Sequence, residues 1–220
     1  MDYLSKVLQL HTPEELQYFS NLAHWVEGAL FLLVAGIALL EVLGYLKSKK
    51  SLYIYPWVLI IAGLFLPIFM FGHHLGEQLK LAWQVTIYVP QQRQHFIMAI
   101  LILISGIAEL RSRQNPKIIP WLKFVMPTVF VVIGVMFIVH PQHGATADVI
   151  RAITIHRYLG TVLILSGLFK GLGAVWNKKV LAFSWIFFLF LASILLITYR
   201  EPAGTYMLDT QGSENMNMDH

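Results

Sequence analysis

The sequence predicts an all-α integral membrane protein with six transmembrane helices, arranged as three tandem helical hairpins with both termini on the outer, non-cytoplasmic side. Hydrophobic residues make up 57% of the 220 positions and charged residues only 13%, which leaves more apolar surface than a soluble domain can bury. The apolar residues gather in six segments, each near the ~20 residues that a helix needs to cross a bilayer. These segments lie at about 22–46, 52–73, 94–111, 118–140, 156–176 and 179–199.

Polar segments flank a single membrane domain, predicted at 21–200. In the first segment, 1–20, Thr12-Pro13-Glu14-Glu15 has the pattern of a capped helix start with proline at its first position, so we predict a short interfacial helix. The segment lacks the basic region and small-residue cleavage site of a signal peptide. The tail 201–220 is rich in Gly, Ser, Asn, Met and Asp and is predicted to be disordered, with at most weak copper binding by its Met and His residues.

The distribution of charge predicts the orientation. Three short connections and two neighbouring helix ends carry ten of the sixteen basic residues but only two of the twelve acidic ones. The positive-inside rule places that side in the cytoplasm and both termini outside. The formal net charge of +4 is therefore a topology signal, and nucleic acid is not expected as a partner.

A weak internal repeat suggests the three hairpins. A histidine precedes a glycine by eleven or twelve residues at the start of the first, third and fifth apolar segments. The pairs are His24 with Gly36, His95 with Gly106, and His156 with Gly167. Small residues within the spans would also let the helices pack closely.

The histidines are the main functional signal. All nine fall on the predicted outer side, although a general preference for the membrane boundary would populate both faces. Ionisable groups at membrane helices are costly and are candidates for function, so we predict a shared metal site. The candidate ligands are His24, His73, His74, His95, His140, His143 and His156, and Glu77 is the candidate catalytic acid.

The absence of cysteine excludes thiolate sites, so the expected metal is zinc, copper or iron held by imidazole and carboxylate. Three or four histidines with an open coordination position would acidify a bound water, which suits a metal-dependent hydrolase or oxidoreductase acting on a lipid or other membrane-soluble substrate. Two alternatives stay open. One is a one-sided haem b protein that exchanges electrons with a quinone, and the other is a non-catalytic copper- or zinc-binding membrane protein.

Glu41 and Glu109 stand beside Lys or Arg near predicted helix ends on the cytoplasmic side. Their sequence context favours solvated helix ends over a functional site.

The order of these motifs resembles the transmembrane protein 45 family of multi-span membrane proteins. The matching elements are His24 with Gly28, Gly76-Glu77-Gln78, His95-Phe96, His140 with His143-Gly144, and His156, which together span roughly 23–175. The resemblance implies that these five histidines and Glu77 form the family's polar site. The His73-His74 pair and the short loop after His143 depart from the family pattern, and the family implies no settled reaction.

Overall fold

A computed structural model describes residues 12–48, 50–72, 76–115, 117, 119–140 and 146–202, without the side chains of 146 and 148. Predicted ligands His73, His74 and His143 lie outside the described residues. Within these ranges the secondary structure is helical and contains no strand. The helices are α1 (Pro13–Val42), α2 (Ile54–Phe71), α3 (Glu77–Tyr88), α4 (Pro90–Gln114), α5 (Val125–Ile138), α6 (Thr146–Trp176) and α7 (Lys179–Thr198).

The predicted all-α, six-span class is confirmed. All of the helices except α3 are long and apolar enough to cross a membrane. The second and fourth spans each include a short 3₁₀ turn directly before α2 and α5. The first span begins earlier than predicted, because α1 runs unbroken from Pro13 and takes in residues of the predicted interfacial segment. Its start has the expected chemistry: the Thr12 hydroxyl accepts from the Glu15 amide at 3.2 Å, and the Glu15 carboxylate accepts from the Thr12 amide at 2.9 Å.

The six spans form a closed ring in chain order. Each span packs against its neighbours in sequence, and α7 packs back against α1. The centre is apolar, and Phe31 of α1 meets Phe130 of α5 across it with ring centroids 6.2 Å apart. Glycines allow close approach: a side chain at Gly63 would collide with the backbone of Leu103, and one at Gly134 with the backbone of Gly160.

Helix α3 was not predicted. It lies between the second and third spans, and Leu79, Trp83 and Ile87 on it are exposed at intervals of four residues. This spacing places them on one helical face, which is typical of a helix lying in the membrane interface. The Trp83 ring also contacts Phe71 and Phe96 at about 6.0 and 6.1 Å between centroids, so α3 is fastened to the ends of α2 and α4.

The two ends of the bundle are chemically distinct. One end carries His24, His95, His140 and His156, and we call it the histidine end. The other carries the Lys- and Arg-rich connections, and we call it the lysine end.

At the lysine end, the expectation that Glu41 and Glu109 are solvated helix ends is wrong. Glu109 is buried and accepts from Tyr55 and from Arg113 Nε (3.0 Å), while Lys170 Nζ lies 3.5 Å away. The Arg113 guanidinium also holds both oxygens of Glu41 at 3.0 Å. This buried network joins α1, α2, α4 and α6, because Glu41, Tyr55 and Lys170 of three helices meet the Glu109–Arg113 pair of α4.

Candidate functional site

Four of the seven predicted ligands come together at the histidine end. Their rings form a closed circuit in the order His24, His95, His140, His156, with successive centroids 5.9, 4.9, 4.8 and 6.1 Å apart. His24 and His156 are buried, and the Nε2 atom of His95 is buried as well. Residues from α1, α4, α6 and the segment after α5 therefore meet within one side-chain layer.

Three of these histidines are held in the same way. The Nδ1 atoms of His24, His95 and His156 lie 2.7, 2.8 and 2.8 Å from the carbonyl oxygens of Ser20, Gln91 and Ala152, each four residues earlier on the same helix. A carbonyl oxygen can only accept, so each Nδ1 carries the proton. In the neutral ring, Nε2 is then the atom with an available lone pair, which is the state required of a metal ligand.

His140 is held by a side chain instead. Its Nδ1 lies 2.7 Å from Oε1 of Gln94, while Nε2 of Gln94 donates to the Met136 carbonyl at 2.6 Å. The second bond fixes which way the Gln94 amide points, so Oε1 faces His140 and Nδ1 of His140 is the donor. His140 thus has the same tautomer as the other three, but its partner is a side chain of another helix and not a backbone carbonyl of its own.

His140 lies just beyond the end of the fourth span. Burial, followed by the neighbouring imidazoles of His95, His156 and His24, lowers the pKa of His140 far below its ordinary value. The ring therefore stays neutral at physiological pH.

Two buried groups near the rings lack partners. Both carboxylate oxygens of Glu27, one helical turn after His24, are buried without a hydrogen-bond partner among the described residues. The Nε2 atom of His95 is buried without a partner in the same part of the structure. Glu27 and His95 line the same cavity, so these are the polar atoms at this end of the bundle that have capacity to bind a ligand.

The segment after α7 closes the histidine end. Tyr199 packs against His24 and His156 with centroids 4.5 and 5.3 Å apart. Glu201 is buried: its Oε2 accepts from Ser20 at 2.7 Å, and its amide donates to Asn21 at 2.6 Å. The last residues of the described chain are therefore fixed to the first helix, directly over the rings.

An apolar cavity of about 50 Å³ begins beside the rings. Its polar wall is formed by His24, Glu27 and His95, and the remainder is apolar. The apolar lining residues are Ala23, Phe31, Leu66, Met98, Ala99, Ile102, Ile133, Phe137 and Leu196. This volume holds roughly three waters or a short length of acyl chain.

The remaining predicted residue, Glu77, lies elsewhere. It is exposed in the first turn of α3, so its placement lends no support to a role as the catalytic acid. The sequence also pairs His24 with Glu27 one helical turn later, which makes Glu27 a candidate carboxylate for the site, but it gives no indication of Gln94. For Glu201, the one indication in the sequence is its position directly after the last apolar segment, which ends at about residue 199.

The rings do not form a finished metal site. No group of three or more His, Asp or Glu side chains within the described ranges is arranged to hold a metal ion as it stands. The spacing is suitable, because imidazoles bound at ~2.0–2.1 Å to one tetrahedral metal have centroids roughly 5 Å apart. The orientation is the obstacle: His140 and His156 are stacked, with only 21° between their planes.

Comparisons with known proteins give no relative from which a function can be taken. No family model matches the chain, and neither a curated protein nor a solved structure is similar to it at a significant level. The resemblance to the transmembrane protein 45 family therefore stays a prediction, and the chain is a multi-pass helical membrane protein whose activity must be inferred from its site.

Proposed function

We propose that this protein binds a transition-metal ion, zinc, copper or iron, through the Nε2 atoms of His24, His95, His140 and His156. The observation that carries the proposal is the shared tautomer: all four Nδ1 atoms face an acceptor oxygen. The four Nε2 atoms are then the ones with a free lone pair, and a cation shared by them would give these nitrogens a common partner.

Metal loading requires one movement. Since His140 stacks on His156, at least one of these two rings must turn before both nitrogens reach a common centre. We expect His140 to be the ring that turns, because its partner is the side chain of Gln94, which can move with it on giving up its bond to the Met136 carbonyl. His24, His95 and His156 are instead tied to the backbone of their own helices. The fixed three would form the preorganised part of the site, with His140 as an adjustable fourth ligand.

We further propose a metal-dependent hydrolase or oxidoreductase acting on a lipid or another membrane-soluble substrate, such as a quinone. A bound divalent ion would supply Lewis acidity at the end of the cavity. The apolar walls would hold the hydrocarbon part of the substrate, and the unpaired Glu27 carboxylate would take up or return a proton at the substrate's polar group. Glu27 replaces Glu77 as our candidate acid. By the positive-inside rule, the site would face the periplasm, cell exterior or an organelle lumen.

A non-catalytic copper- or zinc-binding protein is the second candidate. The small volume of the cavity, about 50 Å³, favours it, since few substrates could enter without movement of the helices. A haem b between these histidines fits less well. The four rings touch one another through edge and stacked contacts, which leaves no slot for a macrocycle between them.

The test is metal analysis of protein purified in detergent through a histidine-free tag, without chelators. We expect about one equivalent of zinc, copper or iron in the wild type, and its loss in both His95→Gln and His156→Gln. The control His220→Gln removes a histidine from the tail and should retain the metal. An absorption spectrum of the same samples reports any haem.

Equal metal content in all variants would contradict the site. So would a wild type that stays metal-free after incubation with each ion. If the site is correct, Glu27→Gln separates the two candidates: an enzyme keeps its metal and loses turnover of lipid or quinone substrates, whereas a simple binder has no turnover to lose.

A further inference from the structure

The lysine end contains a cavity that the proposed metal site does not use. Its volume is about 340 Å³, and it lies between the ends of α1 and α4, the turn before α5, the last turns of α6 and the start of α7. Four lysines line it, and Glu109 is the one acid among the described lining residues. The lysines are Lys123, Lys170, Lys178 and Lys179.

Glu109 does not balance the positive charge of the lysines that line this cavity. The negative charge of Glu109 is already shared by Lys170 and Arg113, and Glu41 is held by Arg113. Two acids and two bases thus balance within the buried network. Lys123, Lys178 and Lys179 add positive charge to the cavity wall, and no described acid among the lining residues balances them.

The start of α7 adds hydrogen-bond donors. Lys178 precedes the helix with extended backbone and makes no side-chain cap. Its carbonyl accepts from the amides of Leu181 and Ala182, which leaves the first two amides of α7, those of Lys179 and Val180, without an intrahelical acceptor. Lys178, Lys179 and Ala182 of this first turn line the cavity. A helix N-terminus presents amides and a partial positive charge, which together favour an anion.

We propose that this cavity binds a phosphate group, held by Lys123, Lys178, Lys179 and the first turn of α7. The same chemistry is offered by the headgroup of an anionic phospholipid and by a soluble phosphate compound. Basic pockets between membrane helices are known to suit lipid headgroups. Trp185 and Ala182 on the wall of the cavity would contact the part of the ligand next to the phosphate.

Topology alone does not explain this arrangement. Lys47, Lys50 and Lys117 lie at the same end and would satisfy the positive-inside rule equally well, but they do not line the cavity. These two sets of three lysines therefore provide a matched comparison in which the charge removed is the same.

The test measures thermal unfolding of the full chain in a neutral detergent. The probes are short-chain phosphatidic acid, inorganic phosphate and short-chain phosphatidylcholine. We expect phosphatidic acid at saturation to raise the unfolding midpoint of the wild type by about 5 °C, and phosphatidylcholine to leave it unchanged. Lys123→Gln/Lys178→Gln/Lys179→Gln should weaken the response at least tenfold in ligand concentration, whereas Lys47→Gln/Lys50→Gln/Lys117→Gln should retain it.

The probes distinguish the source of the phosphate. Stabilisation by phosphate as well as phosphatidic acid assigns the site to the anion itself, and stabilisation by the lipid alone assigns it to a headgroup. Equal responses in the two triple variants, an equal effect of phosphatidylcholine, or no response in the wild type would overturn the proposal. If the first triple variant does not fold, Lys178→Gln/Lys179→Gln changes only exposed side chains and preserves the 3.1 Å bond from Lys123 to the Ala174 carbonyl.

Discussion

The two ends of the bundle differ in whether their buried ionisable groups have partners. At the lysine end, each acid of the buried network meets a base: Glu109 contacts Arg113 and Lys170, and Glu41 contacts Arg113. At the histidine end, Glu27 and the Nε2 atom of His95 are buried without described partners. A completed network stabilises the fold, whereas an incomplete one is costly unless something else completes it. The contrast is the reason why we interpret the lysine end as structural and propose the binding site at the histidine end.

The largest difference between the two ends is expected when the same substitution, Glu to Gln, is made at each. Glu109→Gln would leave Lys170 without its counter-charge and leave Arg113 with Glu41 alone, so it should lower the free energy of unfolding by roughly 3 kcal/mol. Glu27→Gln exchanges a buried carboxyl group that has no described partner for an amide of similar shape, so no described contact is lost and stability should change by less than ~1 kcal/mol in metal-free protein. Denaturant unfolding of both variants in detergent gives the comparison. A larger loss for Glu27→Gln would mean that the unpaired acid has a structural partner after all.

A second pair tests whether the ends act independently. Gln94→Leu removes the acceptor that orients His140, and loss of such a partner typically weakens metal affinity 10–100-fold. Tyr55→Phe removes a hydroxyl from the lysine-end network and should leave metal affinity unchanged. Competition with a metal chelator measures both affinities. If Tyr55→Phe weakened metal binding as much as Gln94→Leu, the two ends would be coupled.

The pH dependence of stability sharpens the account of the histidine end. The pKa of His140 is lowered by burial, so the folded state keeps this ring neutral while the unfolded chain takes up a proton near its ordinary pKa of ~6.5. The unfolded state therefore binds more protons below that pH, and stability falls as the pH falls, by up to ~1.4 kcal/mol per pH unit for this ring. His140→Gln should lessen the slope between pH 6 and 5 by about that amount. A slope identical to that of the wild type would show that His140 is accessible to protons when folded.

The smallest expected effect provides a baseline for the histidine end. Thr12→Ala removes the capping hydroxyl of α1 and should cost about 1 kcal/mol of stability. Because this cap lies before the part of α1 that carries His24, metal affinity should stay within twofold of the wild type. Unfolding and chelator competition on one preparation check both values, and a tenfold loss of affinity would mean that the start of α1 holds the ligands in place.

The sequence was sufficient for the spans and for part of the site. Hydropathy identifies segments that cross a membrane, and the three hairpins each opening with a histidine bring His24, His95 and His156 to the same end. What it could not provide was the rotation of each helix about its axis. Glu109 and Arg113 are recognisable as an i,i+4 pair, but nothing local shows that Glu41 and Lys170 turn inward to meet them.

The missed elements have a similar cause. Helix α3 is too short for a span and carries mixed polarity, so hydropathy treats it as a loop. The roles of Gln94 and Glu201 can be recognised only when α4 is packed against α5 and the segment after α7 against α1. Their hydrogen-bond partners are 42 to 184 residues away along the chain.

The closure of the helix ring by Tyr199 and Glu201 has a consequence for biogenesis. Asn21 and His24 enter the membrane with the first helix, but Glu201 and Tyr199, which cover them, follow the last one. The histidine end therefore cannot be closed until the last helix has been made, and a chain that stalls earlier leaves the Asn21 side chain without the Glu201 amide from which it accepts.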